Sequence, residues 1–217
     1  MFTGLIEQVG RIAAWDRSGD ARRLTIEHAV WESGGASVRP GDSVAVNGAC
    51  LTAERVEATR FTCSVLDETV SRTSLADGAI GERVNLERAM AADARFGGHM
   101  VQGHIDALGT ALSIRRSGVD RIVRIECPPQ LMAGVVEKGS VALDGISLTI
   151  ATLGPDWLEV HLIPFTWAHT AWCDLSQGSR VNIETDIIGK YVQRYMEQQG
   201  TAHLSSDALR RAGRWMD

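Results

Sequence analysis

The chain has 217 residues, 44% of them apolar and 23% charged, with a formal charge of -5, and it is long enough for two domains of roughly 100 residues each. The acidic balance gives no electrostatic reason to expect nucleic acid or an anionic membrane as partner. No apolar run approaches the ~20 residues of a membrane span.

The opening segment, "MFTGLIEQVG", lacks the basic and apolar regions of a signal peptide, so the expected compartment is the cytoplasm. Going along the chain, "RLTIEH", "SVAVN", "RIVRIEC" and "RVNIE" alternate polar with β-branched or apolar residues. Each is bounded by Gly, Pro, Asp or Asn, as strands are. Twenty-two glycines favour many tight turns over long helices.

A long internal repeat organises these elements. "SVAVNGACLT" at 43–52 returns at 140–149 as "SVALDGISLT", with Ser147 where the first copy has Cys50. The same offset of 97 aligns Leu66 with Ile163, Thr69 with Thr166, Thr73 with Thr170, Gly81 with Gly178, and "RVNLE" at 83–87 with "RVNIE" at 180–184. After the insertion "RAMAADARF", the segment 97–104 is matched to 188–195. At the front, Gly4 and Gly10 match Gly103 and Gly109 at an offset of 99. Repeats this long read as complete domains rather than solenoid units. About six strand-like segments per copy predict an all-β barrel or sandwich.

Helical signals are fewer. Ile188, Val192, Tyr195 and Met196 form an apolar stripe after Asp186, predicting a C-terminal helix that packs on the barrels or on its copy in another subunit. Cys50, Cys63, Cys127 and Cys173 show no CxxC pair. That spacing argues against a zinc ribbon or thioredoxin-like centre and predicts free thiols, mostly small buried hydrophobes.

"MFTG", "NGACLT", "LDETVSRTSL", "VNLERAM", "GGHMVQGHID", "DGISLT", "HLIPFT" and "VNIETD" together resemble riboflavin synthase, over about residues 1 to 196 and in the family's order. The resemblance implies an all-β fold of two similar six-stranded antiparallel Greek-key β-barrels in tandem plus a C-terminal α-helix. The implied divisions are 1–99, 100–196 (including the start of the helix) and a tail at 197–217. It implies a transferase that dismutates two molecules of 6,7-dimethyl-8-ribityllumazine to riboflavin and 5-amino-6-ribitylaminouracil, with no metal, redox cofactor or nucleotide. It further implies a homotrimer in which the first barrel of one subunit faces the second barrel of a neighbour, and association with lumazine synthase.

The ligand is a flat heterocycle with a polyol tail and no phosphate, consistent with a chain lacking Walker and Rossmann fingerprints. It calls for hydroxyl and backbone donors beside apolar walls. The expected substrate contacts in the first repeat are Phe2, Thr3, Gly4, Leu5, Ile6, Cys50, Leu51, Thr52, and Ser64, Val65, Leu66, Asp67, Glu68 and Thr69. In the second they are Gly103, His104, Ile105, Lys138, Ser147, Leu148, Thr149, and His161, Leu162, Ile163, Pro164, Phe165 and Thr166. His104 and His99 titrate nearest neutrality among the matched motifs, and His104 is assigned a proton-transfer or polarising role. Ser147 and Cys50 are the candidates for nucleophile or ring-edge donor, with Thr52, Thr149 and Asp186 supporting orientation and proton movement.

Each has a plainer alternative. His99 and His104 are five apart, so on a regular strand they point to opposite faces and form no simple two-histidine metal site, and the plainer reading makes one of them, His99 ahead of His104, only a structural hydrogen-bonder. Asp186 fits a helix N-cap, Thr52 and Thr149 fit packing at strand starts, and Lys138 fits a solvated turn. Phe165, Trp167 and Trp172 make the second loop more aromatic than the family pattern, either to stack on a pteridine or to fill the barrel or face the helix. Retention of the hydroxyl or thiol and threonine pair in both repeats separates an enzyme from the main alternative, a non-catalytic lumazine or flavin carrier.

Overall fold

A computed structural model of the chain describes residues 1–16, 22–31 and 37–198. The predicted tail at 197–217 falls, from 199 onward, outside the described residues. Two antiparallel sheets follow one another. The first contains β1 (Gln8–Asp16), β2 (Arg23–Glu27), β3 (Ser43–Val46), β4 (Ala49–Thr52), β5 (Arg55–Glu57), β6 (Arg60–Ser64) and β7 (Arg83–Arg88), ordered β4-β3-β7-β1-β2-β6-β5. The second contains β8 (Ala107–Ser117), β9 (Asp120–Glu126), β10 (Ser140–Leu143), β11 (Ile146–Leu153), β12 (Trp157–Leu162) and β13 (Arg180–Thr185), closed as β10-β11-β12-β9-β8-β13.

The expectation of six strands per copy therefore holds for the second repeat and not for the first, which has seven. The reason is local. At Ala53 and Glu54 the backbone leaves the ladder between β4 and β5, where it bonds Asp42 and Thr62 instead. The matched stretch of the second repeat stays in one strand, β11, and absorbs the same irregularity as a register shift between Ile150 and Thr152. The shifts between Ile12 and Ala14 and between Ala111 and Ser113 are likewise equivalent, at the offset of 99. Such bulges bend a strand enough to curl a small sheet.

Alternation fills the two interiors. Ile12, Leu24, Ile26, Val44, Phe61 and Leu86 pack in the first; Val123, Ile125, Leu143, Ile150, Leu158 and Val181 pack in the second. Each such side chain contributes on the order of 1.5–3 kcal/mol when fully buried. Trp172 is only 1% exposed and belongs to the second core. Of the three roles weighed for it, filling the barrel is the one observed. Cys63 and Cys127 are core residues too, and burial pushes both thiols up to about 12, which leaves them inert.

The repeats meet across an approximate two-fold relation. The hairpins β3–β4 and β10–β11 turn on Asn47-Gly48 and Asp144-Gly145, with φ of 44° and 80° in one and 46° and 78° in the other. These positive values are those of a type I′ turn, which asks for Asn or Asp followed by Gly. The turns abut: a Cβ on Gly48 would come within 2.7 Å of the Gly145 nitrogen. Around them Asn85 donates to the Asp144 carbonyl at 2.9 Å and Asn182 to the Asn47 carbonyl at 2.8 Å.

The C-terminal helix, Ile187–Gln198, starts where predicted, and the Asp186 carboxylate caps it by accepting the Ile188 amide at 3.0 Å. Its stripe of Ile188, Val192, Tyr195 and Met196 is exposed, at 56–64%. The matching of 97–104 to 188–195 does not extend to structure. The first segment is an irregular linker and the second lies in this helix. Among the described residues, no helix is long and apolar enough to cross a membrane.

Candidate active site

Two glycines with positive φ set the geometry. Gly4, at 77°, lies so close to Ser147 that a Cβ there would meet the serine Cβ at 2.6 Å. Gly103, at 84°, lies equally close to Cys50, at 2.5 Å. The Ser147 amide donates to the Gly4 carbonyl at 2.8 Å and the Cys50 amide to the Gly103 carbonyl at 2.9 Å. The lead-in segment of each repeat thus seats on the hairpin of the other. This corrects the expected grouping of contacts: Gly103, His104 and Ile105 sit with Cys50, and Gly4, Leu5 and Ile6 sit with Ser147. Ile105 packs on the first core and Ile6 on the second. An antiparallel bridge between Phe2 and Val101 joins the two lead-ins.

A matched pair of carboxylates anchors them. Glu87, at the end of "RVNLE", accepts the Thr3 amide at 2.6 Å, the Thr3 hydroxyl at 2.7 Å and the Gly4 amide at 2.9 Å. Glu184, at the end of "RVNIE", accepts the amides of Gln102, Gly103 and His104 at 2.6, 2.9 and 3.0 Å. Burial holds both carboxyls above their ordinary range, and these donors pull them part of the way back. Neither glutamate was singled out as a site residue from sequence. The available signal was an acidic residue repeated at the same place in two strands otherwise reading as core.

The first centre is a cavity of about 390 Å³ lined by Cys50, Glu68, Thr69, Arg72, Gly103 and His104. Glu68 and Arg72 form an ion pair one helical turn apart, on the short helix Asp67–Arg72. At the matched positions of the second repeat, Phe165 stacks on His169 with centroids 4.0 Å apart. Phe165 is exposed and does not fill the barrel. Trp167 packs partly against the second core, with the Arg121 guanidinium 5.5 Å from its ring.

The second centre has its own imidazole. His99 Nδ1 and the Ser147 hydroxyl are 2.7 Å apart, and His99 is buried. Burial lowers its pKa, opposed by the Asp186 carboxylate. Asp186 therefore both caps the helix and acts electrostatically on this histidine. His104 is exposed in the first cavity. Neither histidine lies in a strand, so the argument from opposite faces does not apply. The two rings serve different repeats.

The remaining expected residues are dispersed. Thr52 ends β4 and Thr149 lies inside β11, both exposed, rather than at strand starts. Leu51, Val65, Leu148 and Leu162 are core residues. Ser64, Leu66, Asp67, Ile163 and Pro164 are exposed at the approaches to the short helices, and Thr166 is half-buried. Arg22 pairs with Asp67 at 2.9 Å. His161 faces outward on β12, 3.5 Å from Glu159 in a cluster with Arg115 and Arg124. Lys138 is exposed with φ of 65°, at the position held by Gly41 in the first repeat, and its Nζ is 3.3 Å from the Ala151 carbonyl.

A family model described as lumazine binding domain matches residues 3–89 and again 102–186. The chain is 45% identical over 204 residues to the riboflavin synthase of Mycobacterium bovis, covering 92% of this chain and 100% of that one. It is 43% identical over 199 residues to the riboflavin synthase of Bacillus subtilis, covering 91% of each. Solved structures of LumP complexed with 6,7-dimethyl-8-(1'-D-ribityl)lumazine and with riboflavin superpose with TM-scores of 0.75 and 0.76, over 85% of this chain and 99% of theirs. At 23% and 24% identity, that likeness concerns the fold. The chain belongs to the riboflavin synthase family of duplicated lumazine-binding domains.

Proposed function

We propose that the chain is a transferase that converts two molecules of 6,7-dimethyl-8-ribityllumazine into riboflavin and 5-amino-6-ribitylaminouracil. The observation that supports this is a matched but unlike pair of residue clusters: Cys50 with the Gly103–His104 lead-in, and Ser147 with His99 and the Gly4 lead-in. A carrier needs one pocket, whereas a dismutation of identical molecules needs two pockets that treat them differently. Conversion of the lumazine to riboflavin by purified protein without added cofactor tests the reading. Tight binding without turnover would instead make the chain a carrier.

The reaction requires loss of a proton from the C7 methyl of one lumazine, addition between the rings through a pentacyclic intermediate, and eliminations that release both products. Holding the rings in register supplies a large share of the rate, up to about 7–11 kcal/mol where alignment is ideal. In this reading Ser147, with its orientation set by His99, presents a hydroxyl to one ring edge. Cys50 presents its thiol to the other, and His104 moves or polarises a proton. Positioned acid–base groups contribute ~10²–10⁴-fold. Asp186 and Thr149 support orientation, and Lys138 reaches ligand at a subunit boundary.

The pockets are brought together by assembly as a homotrimer, for which the exposed stripe of Ile188, Val192, Tyr195 and Met196 offers an apolar face. The functional units are 1–99 and 100–196, followed by a tail at 197–217. Cytoplasmic location and association with lumazine synthase complete the reading and rest on the family.

A further inference from the structure

We propose that the two centres read different parts of the same ligand: the first holds the polyol through Glu68, Arg72 and His104, and the second holds the flat ring through Leu5 and the Phe165–His169 stack. The inference rests on the reading of both centres as lumazine pockets.

The short helices that carry the two pairs share one backbone. Leu66 and Ile163, which precede the helices Asp67–Arg72 and Pro164–Ala168, have φ and ψ of -69° and 151° in one and -67° and 155° in the other. The Thr73 hydroxyl donates to the Thr69 carbonyl at 2.7 Å, and the Thr170 hydroxyl to the Thr166 carbonyl at 2.8 Å. Each helix is then followed by a bond to the other repeat: the Ser74 amide donates to the Asn182 side-chain oxygen at 2.8 Å and the Ala171 amide to that of Asn85 at 2.6 Å. The relation that carries Cys50 onto Ser147 and Gly103 onto Gly4 therefore also carries Glu68 onto Phe165, Arg72 onto His169 and His104 onto Leu5.

On that common frame the chemistry changes at three places. Glu68, Arg72 and His104 line the first cavity, and all three are exposed. A carboxylate accepts and a guanidinium donates, side by side, as a row of hydroxyls requires. An exposed ion pair contributes little to stability, so little is lost when its two charges turn to ligand hydroxyls. In the second repeat Leu5 and Phe165 are exposed, at 50% and 66%. His169 donates from Nδ1 to the Phe165 carbonyl at 2.8 Å, and the two rings stack with centroids 4.0 Å apart at 19°. This stack offers flat aromatic surface and one remaining ring nitrogen. It matches the face of a heterocycle and matches a polyol poorly. Cys50 and Ser147 keep a side-chain donor for the ring edge in both centres, so the difference lies in what surrounds it.

The test uses two lumazines in which a 7-oxo group replaces the C7 methyl, so that the proton the reaction must remove is missing and nothing turns over. One carries the 8-ribityl chain and the other an 8-methyl group. Equilibrium dialysis against the full chain should find two sites for the 8-ribityl compound. The 8-methyl compound is expected to keep one of them at near-unchanged affinity and to bind the other roughly tenfold or more weakly, because hydroxyl contacts to charged groups are gone. Glu68→Ala with Arg72→Ala should bring the 8-ribityl compound down to the affinity of the 8-methyl compound at that weaker site. Phe165→Ala, at an exposed position outside the core, should weaken the retained site about threefold or more for both compounds. Equal loss of the 8-methyl compound at both sites, or equal retention at both, overturns the proposal on the wild-type protein alone. So does an unchanged retained site in a Phe165→Ala protein with a native spectrum. An 8-ribityl compound that binds nowhere would remove the lumazine pockets themselves, and the proposal with them.

Discussion

The Ser147 amide donates to the carbonyl of Gly4, 143 residues earlier in the chain, at 2.8 Å. This bond and its counterpart from Cys50 to Gly103 mean that neither centre is built by one repeat. Each uses a lead-in tethered by the glutamate of its own repeat and seated on the hairpin of the other. The absence of a side chain at residues 4 and 103 is what permits the approach.

Alanine at either glycine should therefore be costly. The left-handed backbone alone costs a non-glycine residue about 1–2 kcal/mol, and the added Cβ would also press on Ser147 or Cys50. Gly4→Ala and Gly103→Ala are each expected to lower riboflavin formation by at least an order of magnitude, with a measurable fall in Tm. Wild-type rates in both would detach the lead-ins from the reaction.

Glu87→Gln and Glu184→Gln test the tethers. A glutamine turns one acceptor oxygen into an N–H₂ facing backbone donors, and each is expected to lose about 1–3 kcal/mol of stability. Turnover should fall with them, because the segment that each carboxylate holds carries the glycine at the opposite centre. Denaturant titration reads the first effect and riboflavin absorbance the second; stability lost with turnover intact would limit the glutamates to folding.

The repeat, its strands, and the pairing of Cys50 with Ser147 were all legible in the sequence, since identity at a fixed offset marks equivalent positions. The crossing of the lead-ins was not. Equivalence says that Gly4 corresponds to Gly103, but not which copy of the hairpin each one touches. The match of 97–104 to the helix misled because "VQ" is shared by two segments whose surroundings differ: glycines on one side, a capped amphipathic run on the other. Glu87 and Glu184 were visible as repeated letters only. Their role depends on burial, which alternation predicts for apolar residues and not for a carboxylate.

Asp144 gives a pH prediction. It is buried, accepts the Asn182 amide and the Trp172 indole N–H at 2.8 Å each, and burial pushes its carboxyl up to about 7. A folded-state value above the unfolded one near 3.8 means that the native state binds the proton more tightly. Its contribution is full below about pH 4 and is lost as pH rises through about 7. Subtracting the Asp144→Asn stability profile from the wild-type profile should give a difference that falls across this window and is flat above it. A flat difference throughout would mean that the carboxyl titrates normally.

Exchanging the two centres tests their inequivalence. Ser147 has the buried His99 at 2.7 Å, whereas Cys50 shares its cavity with His104, Glu68 and Arg72. Ser147→Ala alone is expected to reduce turnover at least tenfold with the fold intact. The double exchange Cys50→Ser with Ser147→Cys should also be impaired, because a thiol is a weaker donor to the ring edge and a weaker partner for His99. Full activity in the exchanged protein would move the asymmetry to the Glu68–Arg72 and Phe165–His169 pairs.

The most direct measurement is the stoichiometry of the reaction with purified protein, 6,7-dimethyl-8-ribityllumazine and no added cofactor. The account predicts one riboflavin and one 5-amino-6-ribitylaminouracil for every two lumazines consumed. Lumazine bound at both pockets with no riboflavin released would contradict it.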